Sequence, residues 1–279
     1  MAATVPLFTL PILPTGTLDA EPTGSITCTS PQPKVYLLTF NAPPDNRLVT
    51  SFCQSLLLAL DIIEFSYPVG VVITTSGIPK FYSNGLILEH ATSTPGFWQE
   101  SLYTLLRRFL TFPMPTVALM NGHAFAGGLM LAMHHDYRIF NPSRGFLCLN
   151  ELEFGAPLKP PMSSIFRQKF SHPTVYRSLV LEAKRFGGPE ALATGIVDGL
   201  GGLEEALALI QERKLTEKAK SGVYGVLKAE MYRESVGYLE GHENNELFDA
   251  RNAEKEKKRK EIASKRVKEW QRNSMKAKL

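Results

Sequence analysis

Apolar and polar positions divide the chain into short alternating elements followed by a long polar stretch. Residues 34–40, KVYLLTF, are β-branched and aromatic and predict a strand, stopped by the turn cluster NAPPDN at 41–46. Phe52, Leu56, Leu60 and Ile63 recur at helical spacing and predict an amphipathic helix over 50–65. The nearly continuous apolar run VGVVITT at 69–75 suits a buried strand, with the loop GIPKFYSNG after it. A second helix is expected over 97–112, ended by Pro113 and Pro115. Further strands are predicted at 116–120, 137–140 and 145–149. Helices are predicted at 129–133, 163–170, 174–181, 190–194 and 203–219.

Residues 1–33 are rich in Pro, Thr, Gly and Ser and predict an irregular arm. Residues 246–276 are charged and favour helix. Strand and helix alternate to about residue 200, then helix takes over, which argues for an α/β core with a helical C-terminal region.

Composition narrows the class. A chain of 279 residues, 44% apolar and 21% charged, can bury a large core and reads as an ordinary globular protein. No apolar run approaches the roughly 20 residues of a membrane-spanning helix. The first fourteen residues are apolar but broken by Pro6, Pro11 and Pro14, with no early Lys or Arg. That fits neither a secretory signal nor a mitochondrial presequence. Cys28, Cys53 and Cys148 have no zinc or C-x-x-C spacing and read as reduced thiols in an intracellular compartment. The net charge of +4 is mild and gathers near the C-terminus, so it does not argue for nucleic acid. The last residues, Ala277, Lys278 and Leu279, resemble an S-K-L peroxisomal address with Ala for Ser. They predict an import receptor as partner and a peroxisomal location, with the cytoplasm as the alternative.

Two segments carry candidate chemistry. In 121–140, NGHAFAGGLMLAMHHDYRIF, a strand runs into a small-residue turn that opens a helix. Gly and Ala leave the turn's amides uncovered, and a helix N-terminus offers unpaired N–H donors. Such a turn holds an anion or a developing oxyanion, or is simply a tight packing turn. Residues 80–88, KFYSNGLIL, form a second loop of the same kind.

With these two loops the chain resembles the enoyl-CoA hydratase/isomerase (crotonase) superfamily. There, an F-x-x-G loop and an N-G-x-A-x-G-G loop each supply one backbone donor to a thioester oxygen. The resemblance implies donors at the N–H of Leu86 and of Gly127. It extends from about residue 34 to about 202 and includes GGPEALATGIVDGL at 187–200. It implies a core over 34–202, a helical region over 203–279, a spiral of ββα units around two sheets, and a homotrimer or dimer of trimers. Asp136 falls at the family's usual acidic position and reads as structural. His123, His134 and His135 lack matching carboxylate spacing and read as ordinary histidines, so no metal is expected.

Acid and base groups then separate the family's reactions. Hydratases use two glutamates, and the first falls here on Met130, which cannot move a proton. The second falls in GFLCLNELEFG at 145–155. Alignment on Gly155 puts Glu151 at the catalytic position, with Glu153 as a possible alternative base. An extended backbone would put both on one face. One carboxylate facing two donors suits a 1,3-proton shift in a 3-enoyl-CoA without metal or separate cofactor, coenzyme A being part of the substrate.

The SNG and NELEFG segments look like those of monofunctional isomerases of plants and fungi. Ile87 departs from the family's Asp, and APLKPPMSS after Gly155 lacks the hydratases' G-x-G-G. The rivals are hydration or thioester hydrolysis by Glu151 or Glu153, and a non-catalytic acyl-CoA-binding scaffold. The tail from 254 to 272 reads as a solvated helix, or as a source of Lys and Arg for CoA phosphates.

Overall fold

The computed structural model describes residues 5–14 and 21–276. The predicted terminal tripeptide Ala277-Lys278-Leu279 lies outside them. The first strands are β1 (Phe8–Ile12), β2 (Gly24–Gln32) and β3 (Val35–Asn41), joined antiparallel. Thus the segment expected to be irregular carries two strands. Its Thr and Ser are compatible with a pleated edge, and in β2 only Ile26 and Cys28 turn fully inward. Two apolar positions make a weak alternation signal.

Helix α1 (Thr50–Ser66) follows as its spacing predicts, burying Phe52, Leu56, Leu60 and Ile63. The chain then repeats one unit three times. Strands β4 (Val71–Ser76) and β5 (Phe81–Ser83) lead to α2 (Leu88–Ser93). A π-helix (Phe97–Tyr103) and α3 (Thr104–Thr111) intervene, so the predicted single helix over 97–112 changes winding midway. Next come β6 (Thr116–Met120), β7 (His123–Phe125) and α4 (Gly127–Met133). Then β8 (Tyr137–Phe140), β9 (Leu147–Cys148) and the single turn α5 (Glu151–Phe154) complete the series.

The first strand of each repeat enters a seven-stranded sheet, β1-β2-β3-β4-β6-β8-β10, and the second enters a three-stranded sheet, β5-β7-β9. All β5-β7-β9 pairings are parallel. This is a crotonase-type spiral of ββα units. Helices α6 (Pro160–Lys169), α7 (Pro173–Leu181) and α8 (Gly188–Ala193) follow, then β10 (Gly199–Leu200).

Beyond residue 202 the chain keeps packing on the core. Helix α9 (Leu203–Glu212) buries Ala206, Leu209 and Ile210 with Val71, Ile73, Val117 and Ile139 of the large sheet. The helix predicted over 203–219 breaks at Lys214, whose φ is 52°, and resumes as α10 (Leu215–Lys218). Helices α11 (Tyr224–Met231) and α12 (Arg233–Glu240) end the first compact unit at Glu240. The unit boundary therefore falls well beyond the expected core limit at 202. The second unit is α13 (His242–Lys276), a polar helix with pairs such as Glu254–Lys258 at 3.3 Å and Glu256–Arg259 at 2.7 Å.

Asp136 fastens the C-terminal helices of the first unit to the sheet. Its carboxylate accepts the Thr116 N–H at 2.8 Å and the Lys228 ammonium at 2.9 Å; Lys228 is buried and the Asp136 side chain is only 10% exposed. Lys228→Met is therefore expected to destabilise the protein by about 2–4 kcal/mol, because it leaves a nearly buried carboxylate without its cation. Urea unfolding measures this, and a loss under about 1 kcal/mol is inconsistent with that role.

Candidate active site

The three-stranded sheet places the candidate groups. Each of its strands stops at a loop on the same end: Asn84–Leu86 after β5, Ala126–Gly127 after β7, and Asn150–Glu151 after β9. Carboxyl ends of parallel strands are where α/β folds build sites. These loops line one cavity of about 720 Å³. Its remaining wall is largely apolar, with Trp98, Met130, Phe154, Leu158 and Met162.

The first two loops touch. A Cβ placed on Gly127 would lie 3.3 Å from Leu86 Cγ and 3.4 Å from Gly85 Cα. Neither the Leu86 nor the Gly127 N–H donates to a protein acceptor among the described residues. Ala126, between β7 and α4, has φ 49° and ψ −122°, a sparsely populated backbone state for a residue with a side chain. Its own N–H is held by Cys148 O at 2.9 Å, and α4 begins at once with Gly127, leaving that amide uncovered at the cavity wall. Gly128 admits no side chain, since a Cβ there would meet Ser83 O at 2.2 Å.

The two candidate carboxylates separate cleanly. Residues 151–154 form a helical turn rather than an extended segment, so Glu151 and Glu153 do not share a face. Glu151 is 8% exposed and faces the cavity; Glu153 is exposed and stands 3.6 Å from Arg185. Burial pushes the Glu151 carboxyl up to about 7. Its Oε2 and the neighbouring Asn150 Oδ1 are buried without a hydrogen-bond partner among the described residues. Two open acceptors beside two open donors leave a polar spot in an apolar chamber, which is what a small polar reacting group would fill.

His134 and His135 are fully buried, and each Nδ1 contacts a carbonyl one turn back, Met130 O at 2.7 Å and Leu131 O at 3.0 Å. Burial lowers both far below ordinary histidine values. Among the described residues, no three His, Cys, Asp or Glu cluster as a metal site.

Sequence reasoning missed Asp45, Arg47, Trp98 and Asn150, which also line the cavity. Asp45 and Arg47 sit in the cluster read only as a strand-stopping turn. An acid–base pair two residues apart in a Pro-rich turn was the available signal.

A twin-sheet spiral thus ends in two uncovered amides and a buried carboxylate around one cavity. The sequence matches the family described as enoyl-CoA hydratase/isomerase over residues 31–272, and the chain belongs to that family. It is 31% identical to Enoyl-CoA delta isomerase 3 of Arabidopsis thaliana over 76% of this chain and 94% of that one. It is 32% identical to the peroxisomal Enoyl-CoA delta isomerase 2 of the same plant, over 74% and 91%. In fold it is similar to the human mitochondrial delta3-delta2-enoyl-CoA isomerase, with a TM-score of 0.62 at 24% identity over 80% and 95% of the two chains.

Proposed function

We propose that the protein is a Δ3-Δ2-enoyl-CoA isomerase of unsaturated fatty acid breakdown. The observation that carries this reading is one buried carboxylate, Glu151, whose Oε2 has no partner among the described residues and which shares an apolar cavity with the two uncovered amides. Glu151 removes a proton from C2 of a 3-enoyl-CoA. The electrons of the C2–H bond form the C1–C2 double bond of an enolate, and the carbonyl oxygen takes the negative charge. Leu86 and Gly127 N–H groups donate to that oxygen, an interaction worth about 3–4 kcal/mol of barrier for one donor. The enolate then collapses: the oxygen re-forms the carbonyl, the C1–C2 electron pair moves to C2–C3, and the C3–C4 pair takes the proton back from Glu151 at C4. Substrate and product differ only in where one proton and one double bond sit.

Met130 favours this reading over hydration, because it lines the cavity where the family resemblance puts the hydratases' first glutamate. The human and plant relatives carry isomerase names. A peroxisomal location belongs to the same proposal, supported by the peroxisomal designation of two plant relatives. So does self-assembly as a homotrimer or dimer of trimers, carried over from the family resemblance and read directly by light scattering.

The test is conversion of trans-3-hexenoyl-CoA to the conjugated 2-enoyl thioester, followed by absorbance. Only ionised Glu151 can act as base, so kcat/KM should rise with pH and level off above about 7. A rate flat between pH 5 and 9 would remove Glu151 as the base. Glu153→Gln should stay within about twofold of wild type, since the side chain is exposed and outside the cavity lining. Formation of a 3-hydroxyacyl-CoA in place of the isomer would move the assignment to hydration.

A further inference from the structure

The loop that ends in Leu86 is gripped from a direction the family motifs do not mention. Three successive carbonyls, those of Asn84, Gly85 and Leu86, are each held by residues 47 and 48. Arg47 Nη1 donates to Asn84 O at 3.0 Å and to Leu86 O at 2.9 Å. The Leu48 N–H donates to Gly85 O at 2.9 Å, the carbonyl of the very peptide that carries the Leu86 N–H. A peptide is planar, so fixing its oxygen fixes where its N–H points. The grip matters because Gly85, at φ 77°, is the residue with the most freedom to turn that plane away.

Arg47 is itself anchored. Its Nε lies 3.0 Å from Asp45 Oδ2 and its Nη2 lies 3.0 Å from the same oxygen. Asp45 also accepts Asn84 Nδ2 at 2.6 Å, and its carbonyl accepts the Asn84 N–H at 2.9 Å. The flat guanidinium thus bridges a carboxylate on one edge and two carbonyls on the other, a geometry that lysine cannot copy.

We propose that Arg47 is a positioning residue for the Leu86 oxyanion donor: it bolts the loop 84–86 to the turn 45–48 and so aims the amide at the thioester oxygen. This inference rests on the isomerase reading for the identity of the reaction. The competing use of an arginine at a cavity mouth is to bind a phosphate of coenzyme A. Here most of its N–H groups are already spent inward on Asp45, Asn84 and Leu86, so a phosphate would have to dismantle the clamp.

The full-length protein carrying Arg47→Met or Arg47→Lys is compared with wild type in two assays. One is steady-state kinetics on trans-3-hexenoyl-CoA. The other is the ultraviolet band of enolised acetoacetyl-CoA on the protein, which reads thioester-enolate stabilisation without turnover. Arg47→Met is expected to lower kcat about 100-fold, the scale of a misplacement of about 1 Å. KM should stay within about threefold, and the enolate band should weaken in step. Arg47→Lys, a point charge able to hold one carbonyl, should fall between the two.

Added guanidinium should restore part of the rate of Arg47→Ala. Wild-type kcat and band in Arg47→Met overturn the proposal. So does a raised KM at unchanged kcat, which would assign Arg47 to the CoA phosphates. Should the Met variant fail to fold, the Lys variant carries the same comparison. A wild type that enolises acetoacetyl-CoA but does not isomerise 3-hexenoyl-CoA would overturn the isomerase reading alone, with the role of Arg47 still decided by the band.

Discussion

Glu151→Gln is expected to lower isomerase turnover by about 10³-fold or more, toward the upper end of what general bases contribute, because in the proposed mechanism one carboxylate handles both proton transfers. The amide keeps the shape and burial of the side chain but cannot accept the C2 proton. KM should change little, since the lost interaction belongs to the reacting proton rather than to the bound thioester. Retention of more than about a tenth of the wild-type rate would place the base elsewhere.

The same substitution has a second readout. Burial lifts the Glu151 carboxyl from an ordinary 4.5 to about 7. The folded protein therefore holds this proton to higher pH than the unfolded chain does. Stability from this group falls as pH rises from about 4.5 to about 7 and stays lower above, by about 3 kcal/mol. Glu151→Gln removes that decline, so the inactive variant should unfold at higher urea than wild type at pH 8 and show less advantage at pH 4.5. Equal or lower stability of the variant at pH 8 would contradict the burial argument.

Gly85→Ala should cost about 10²–10³-fold in kcat, the loss usual for one oxyanion donor. The new methyl would lie 2.9 Å from the Gly127 N and 3.0 Å from Phe125 O, on a backbone at φ 77° that disfavours any side chain. To relieve the contact the loops must part, and in the proposed mechanism each amide then misses the thioester oxygen. Gly187→Ala is the control: its φ is −82°, nothing lies within 4 Å of the added carbon, and activity should stay within about twofold of wild type. A Gly85→Ala enzyme as fast as that control would mean that these amides do not act together.

The central strands of the large sheet, β4 and β6, were readable because they are buried on both faces, unlike β1 and β2. Val71, Val72 and Ile73 are all enclosed, and such runs announce themselves without any alternation. Of the small sheet only β9 was readable, inside the strand predicted at 145–149; β5 and β7 have three residues each and gain order only from their neighbours. Yet it is this sheet that brings the site together. The loops ending at Leu86 and Gly127 were found through glycines whose role is local. Choosing Glu151 over Glu153 needed the family alignment, because whether residues 150–153 are extended or helical depends on tertiary packing around β9. Arg47 escaped notice because its partners, Asn84 and Leu86, lie 37 and 39 residues away along the chain. No local pattern records such a pairing.

The parallel pairing of β5 with β7 also acts as a ruler. Neighbouring strands in a sheet lie about 4.8 Å apart. Two N–H donors bracketing one oxygen at about 2.9 Å each can be separated by no more than about 5.8 Å. Amides that leave adjacent strands in step therefore arrive already at a span one oxygen can bridge. The next strand, β9, leads into the turn that carries the Glu151 carboxylate, so the same strand spacing that pairs the two amides also fixes how far from them the acid stands.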